Sequence, residues 1–142
     1  MIARYTVLDK DAKRLILLRP YQIHAIEAVR EASKNGKSGF IWHTTGSGKT
    51  LTSFKLAQLL REEARVDLVV FLIDRKDLDD QTVEEYNSFE KDCVDNTDST
   101  RVLIQMLKLS EKKMIVTTIQ KMANAVKNPK YEAFMDDTVI KK

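Results

Sequence analysis

The run His43-Thr44-Thr45-Gly46-Ser47-Gly48-Lys49-Thr50 holds the most chemistry-rich spacing in the chain. It fits the phosphate-binding pattern G-x-x-x-x-G-K-[ST] at every position but the first, where histidine stands in place of glycine. Gly46 and Gly48 let backbone N–H groups turn toward an anion. A helix opening near Lys49 adds unpaired amides and the positive end of its dipole. Lys49 would meet the β- and γ-phosphates of a triphosphate, and the Thr50 hydroxyl would bind Mg2+. Two other stretches place polar groups after apolar runs. In Leu72-Ile73-Asp74-Arg75-Lys76-Asp77-Leu78, Arg75 and the amides around Lys76 and Asp77 suit a backbone phosphate. The nearby Asp77, Asp79 and Asp80 oppose that use and equally suit a solvated first helical turn. In Ile115-Val116-Thr117-Thr118-Ile119-Gln120-Lys121, Thr117, Thr118 and Gln120 offer hydroxyl and amide contacts, while Thr118 could instead cap a helix.

These residues need strands and helices to hold them. Residues 1–18 read as an extended lead-in. Pro20 suits a first helical turn, Ile23, Ile26, Val29 and Arg30 keep helical spacing, and Asn35-Gly36 is a stop. Ser38 to His43 contains Gly-Phe-Ile-Trp and predicts a short buried strand, with Trp42 packed in the core or on the sheet. Leu51 to Arg65 repeats apolar residues as a helix. Leu68 to Ile73 is continuously apolar, as in a strand covered on both faces. Asp77 to Phe89 predicts a helix with Leu78, Val83, Tyr86 and Phe89 inward. A polar loop over Asp92 to Thr100, a helix over Val102 to Leu109, a strand over Met114 to Thr118 and short helices over Ile119 to Val126 and Tyr131 to Met135 follow. Thr138-Val139-Ile140 reads as a strand just starting. Strands alternating with helices predict an α/β fold with a three-layer parallel sheet, ligands lying at the carboxyl ends of the strands.

Composition sets the outer bounds. Of 142 residues, 43% are hydrophobic and 32% charged, which suits a folded domain with a real core and excludes disordered and collagen-like classes. The single Cys93 excludes an intramolecular disulfide and multi-cysteine metal sites. No apolar run approaches the roughly 20 residues of a membrane span, and Met1 to Lys13 show no signal-peptide pattern, so a cytoplasmic protein is expected. The net charge of +3 is unevenly spread. Residues 51–100 hold six Lys/Arg against thirteen Asp/Glu, whereas residues 1–50 and 101–142 each hold nine against four. Binding to a polyanion would therefore be local, not a whole-surface attraction.

Thr45-Gly46-Ser47-Gly48-Lys49-Thr50 resembles motif I of superfamily 2 helicases and translocases, P-loop NTPases that tolerate a residue other than glycine at the first position. Over Gly39 to Lys55 the match is more specific and resembles the motor subunit of type I restriction enzymes. Leu18-Arg19-Pro20-Tyr21-Gln22 supports it, with Gln22 standing 27 residues before Lys49. In that family the glutamine reads adenine, its amide donating and accepting at once, and Tyr21 or a neighbour could pack on the base. The resemblance implies that residues 19–142 form part of a first RecA-like lobe. Its ATP site would comprise Arg19, Gln22, Thr45, Gly46, Ser47, Gly48, Lys49, Thr50 and Leu51, with Lys49 and Thr50 as catalytic residues and Mg2+ on Thr50. Arg75, Lys76, Thr117, Thr118 and Gln120 would face double-stranded DNA. The whole protein would couple ATP hydrolysis to DNA translocation and cleavage beside modification and specificity subunits.

One piece of that machinery is not found. ATP hydrolysis in this family needs an Asp-Glu pair after a later apolar strand, and no apolar run here ends in Asp-Glu. Thr138-Val139-Ile140 stands where that strand is expected, so the lobe reads as truncated before its Walker B strand and able to bind nucleotide without hydrolysing it. Two other readings stay open. Val69 to Asp74 is itself an apolar run ending in aspartate, which would make a compact P-loop kinase with Asp74 on Mg2+. A stand-alone nucleotide-binding module regulating a partner fits as well.

Overall fold

Apolar residues at helical spacing from Ile23 onward, opened by Pro20, do form a helix, α1 (Pro20–Lys34). The computed structural model describes residues 2–10, 12–74, 80–91, 99–108 and 114–129. A 3-10 turn (Ile2–Tyr5) and the strands β1 (Thr6–Asp9) and β2 (Arg14–Leu17) precede α1. After it come α2 (Lys49–Arg61), β3 (Val69–Ile73), α3 (Asp80–Phe89), α4 (Thr100–Lys108), β4 (Met114–Thr118) and α5 (Ile119–Lys127).

The lead-in is a folded antiparallel hairpin, not a simple extended segment. Val7 stands opposite Ile16 and Asp9 opposite Arg14. The turn contains no glycine, so its pattern does not announce itself. Lys13 takes the left-handed φ of 49° instead. The buried Asp9 carboxylate holds the turn by accepting from Ala12 N–H at 3.0 Å and Arg14 Nε at 3.2 Å. Two long-range bonds tie the hairpin to the helices. The Lys55 ammonium of α2 donates to the Thr6 carbonyl at 2.9 Å, and the Tyr5 hydroxyl donates to Glu27 of α1 at 2.9 Å.

β3 and β4 pair in parallel, Val69 opposite Met114 through Ile73 opposite Thr118. Side chains on a strand alternate between faces, and the pair is covered on both. Phe71, Ile73, Met114 and Val116 join Ile26, Phe54, Ala57, Leu59, Tyr86 and Phe89 in one core. Val70 and Ile115 join Leu103, Ile104, Met122 and Ala125 from α4 and α5 in the other. Every residue of β4 is buried, whereas β3 is half-buried and Leu72 exposed.

Among the described residues the parallel sheet is two strands wide, with helices against both of its faces. One expectation is corrected. Ser38 to His43 forms no strand, and within it Phe40 is 91% and Trp42 88% exposed, so Trp42 packs in no core. The physical reason is pairing. An apolar run becomes a strand only when a neighbour satisfies its backbone groups, and no described strand lies beside this one. The expected helix over Tyr131 to Met135, the strand at Thr138 to Ile140, and Leu78 and Cys93 lie outside the described residues.

The helices α1 and α2 are clamped at their far ends by charge. Arg30, itself buried, donates to Glu63 at 2.9 Å and to Glu27 at 2.9 Å, and Arg65 pairs with Glu63. Burial alone would raise the pKa of Glu63, but the hydrogen bonds from Arg30 and Arg65 outweigh it and hold the carboxyl below its ordinary value. Glu27 is lowered too: hydrogen bonds from Arg30 and Tyr5 overcome its burial.

Candidate functional site

The opposite ends of α1 and α2 meet at the phosphate-loop sequence. Gly46 and Gly48 both sit in left-handed conformation, φ 76° and 77°, where a Cβ is costly. The Ser47 hydroxyl and N–H both donate to the Thr44 carbonyl, at 2.6 and 3.3 Å, and close the turn. Gly48 caps α2: its carbonyl accepts from Thr52 N–H at 3.0 Å and from the Thr52 hydroxyl at 2.8 Å. The N–H groups of Gly46, Gly48 and Lys49 have no backbone acceptor among the described residues. Lys49 is exposed beside them, and Thr50 and Leu51 are half-buried in the first turn of α2. Unpaired amides, an exposed ammonium and a helix N-terminus are groups that can together hold a phosphate. The loop is open there, since a Cβ on Gly46 would touch nothing within 4 Å. These residues fit a magnesium nucleotide, with Lys49 toward phosphate and the Thr50 hydroxyl toward the metal.

The N-terminus of α1 closes the loop from outside. The Gln22 carbonyl oxygen accepts from Arg19 N–H at 2.8 Å. Its amide nitrogen lies 3.3 and 3.4 Å from the carbonyls of Ser47 and Gly48. The side chain is buried, and a Cβ on Gly48 would stand 2.7 Å from that nitrogen. Gln22 thus touches the loop directly, a role its motif did not disclose. Tyr21, expected against a base, donates its hydroxyl to the Ser47 carbonyl at 2.8 Å. Its ring meets His43 edge-on, centroids 5.9 Å apart. Two cavities open beside residues 39–43. One of about 230 Å3 faces α2 at Lys49 and Leu56, and one of about 510 Å3 faces α1 at Tyr21 and His24.

The nucleic-acid candidates fare unevenly. Arg75 and Lys76 lie outside the described residues. Thr117 is fully buried. Thr118 is an N-cap, its hydroxyl accepting from Lys121 N–H at 3.2 Å. Gln120 is exposed. Because Ile73 stands opposite Thr118, Asp74 and the start of α5 leave the sheet at one end.

An α/β unit with a glycine turn capping a helix is the frame of the site, and comparison gives its class. The chain belongs to the SWI2/SNF2 ATPase family, which matches residues 21–140. Its relatives are endonuclease subunits of type I restriction enzymes. It is 52% identical over 129 residues to one from Staphylococcus saprophyticus, covering 90% of this chain and 14% of that protein. It is 46% identical over 143 residues to one from Staphylococcus aureus, covering 99% of this chain and 15% of that protein. It is also 46% identical over 139 residues to the C-terminal part of a putative subunit from Mycoplasma pneumoniae, covering 89% of this chain and 67% of that protein. The chain thus spans about one-seventh of the staphylococcal relatives. Among the described residues, no helix is long and apolar enough to cross a membrane.

Proposed function

We propose that this chain is the nucleotide-binding part of the motor of a type I restriction endonuclease subunit. The ligand is ATP with Mg2+, held by Thr45 to Leu51, with Arg19 and Gln22 on the adenine side. The observation that carries this reading is the pair of left-handed glycines with unpaired N–H groups directly before Lys49 and Thr50. In the longer protein, ATP hydrolysis drives translocation along double-stranded DNA and leads to cleavage, in a cytoplasmic complex with modification and specificity subunits. The portion seen here binds without turnover, because no apolar run in its sequence ends in the Asp-Glu pair that activates water. DNA contact would fall at the shared end of β3 and β4, with Gln120 the exposed candidate there and Arg75 and Lys76 following β3 in sequence.

Calorimetric titration with Mg-ATP tests the reading. The unaltered chain binds, and Lys49→Ala weakens binding at least tenfold, the scale of a lost charge-assisted hydrogen bond. Equal affinity of both proteins would refute it.

A further inference from the structure

We infer that Tyr21 is a positioning residue for the phosphate loop and acts through its hydroxyl on the Ser47 carbonyl, not by packing on the nucleotide base. This rests on the nucleotide-binding reading above and adds to it how the loop keeps its shape.

The argument starts from peptide geometry. In a trans peptide the C=O and the following N–H point in opposite directions, and the described chain contains no cis bond. Tyr21 Oη and Gln22 Nε2 both approach the Ser47 carbonyl, at 2.8 and 3.3 Å. Drawing that oxygen toward α1 turns the Gly48 N–H away from α1. The next carbonyl, that of Gly48, is held by Thr52 N–H and hydroxyl at 3.0 and 2.8 Å, with Gln22 a longer contact at 3.4 Å, so the α2 cap sets the Lys49 N–H. Both N–H groups are among those left without a backbone acceptor among the described residues. Two side chains of one helix turn therefore orient the Gly48 donor of the cradle.

Of the two side chains, Tyr21 makes the shorter bond. Gln22 is also engaged with Arg19 N–H, whereas the tyrosine hydroxyl goes to the loop alone. The Tyr21 ring is seated by His43, the residue standing where the phosphate-binding pattern has its first glycine. Tyr21 therefore spans the loop, touching its first position with its ring and Ser47 with its hydroxyl. A ring held edge-on against His43, with its hydroxyl committed to the backbone, is set for bracing the loop.

Inorganic tripolyphosphate separates the two roles, because it has phosphates and no base. Affinities of the full chain for tripolyphosphate and for ATP, both with Mg2+, are compared between the unaltered protein and Tyr21→Phe. That change removes one hydroxyl from a partly exposed side chain and leaves the ring in place. Loop positioning predicts that both affinities fall by the same factor, about fivefold, with an unchanged melting temperature. Loss of ATP affinity with tripolyphosphate untouched would place Tyr21 at the base and overturn the proposal. Unchanged affinity for both ligands would overturn it as well. An unaltered chain that binds neither ligand would refute the nucleotide-binding reading itself, and the proposal with it.

Discussion

Two apolar runs of similar composition meet opposite fates. Met114 to Thr118 forms β4, buried at every residue between two helical cores. Gly39 to Trp42 forms no strand and leaves Phe40 and Trp42 in solvent. Both are short and rich in large apolar residues. The difference is that β4 has β3 alongside it in register, and the other run has no described neighbour. Local hydrophobicity nominates a strand, and pairing makes it one. The glycine loop that follows the unpaired run is nevertheless shaped, because its fixing contacts come from α1 and from the cap of α2 rather than from that run.

Paired substitutions break or sharpen this contrast. The largest effect is expected in β4. Ile115→Ala opens a cavity in the second core and costs about 3 kcal/mol. Trp42→Ala, at an exposed site, stays within about 0.5 kcal/mol. Urea unfolding measures both, and equal losses would mean that the Gly39 to Trp42 run is packed after all. Next comes the loop. Gly48→Ala meets both a left-handed φ and the Gln22 amide 2.7 Å away, for about 2 kcal/mol. Gly46→Ala has the same strain and open space around it, so its cost stays nearer 1 kcal/mol. A smaller change, about 1 kcal/mol, is expected from Thr118→Ala, which removes the α5 cap.

Acid tests the clamp at the far end of α1 and α2. The folded-state pKa values of Glu27 and Glu63 lie below the ordinary 4.5. Their contribution is therefore complete above that range and disappears as pH falls through the lowered folded values. Melting temperature should drop between neutral pH and pH ~3, and Glu63→Gln should flatten part of that drop. An identical acid profile in the variant would remove Glu63 from the clamp.

Much of this was legible in the chain itself. Pro20 and Asn35-Gly36 bracket α1, and the apolar spacing of Phe54, Ala57 and Leu59 marks the buried face of α2. The glycine pattern marked the turn that opens α2, with Gly46 and Gly48 both in left-handed conformation, because its glycines and lysine lie close together in sequence. Features that depend on distant partners were not legible. The β1–β2 hairpin turns on Lys13 and Asp9, with no glycine to signal it. The Tyr21 hydroxyl finds a carbonyl 26 residues away, and nothing in Arg-Pro-Tyr-Gln announces that. Thr117 and Thr118 looked alike as polar strand-end residues, yet burial takes one and a helix cap the other.

The central claim is the proposal that Gly46 to Thr50 cradles phosphate although the run before it forms no strand. Amide hydrogen exchange with and without Mg-ATP reads that cradle most directly. Nucleotide should slow exchange at Gly46, Gly48 and Lys49 and leave β4, already buried and paired, unchanged. Exchange at those three amides that is identical with and without nucleotide would contradict the account.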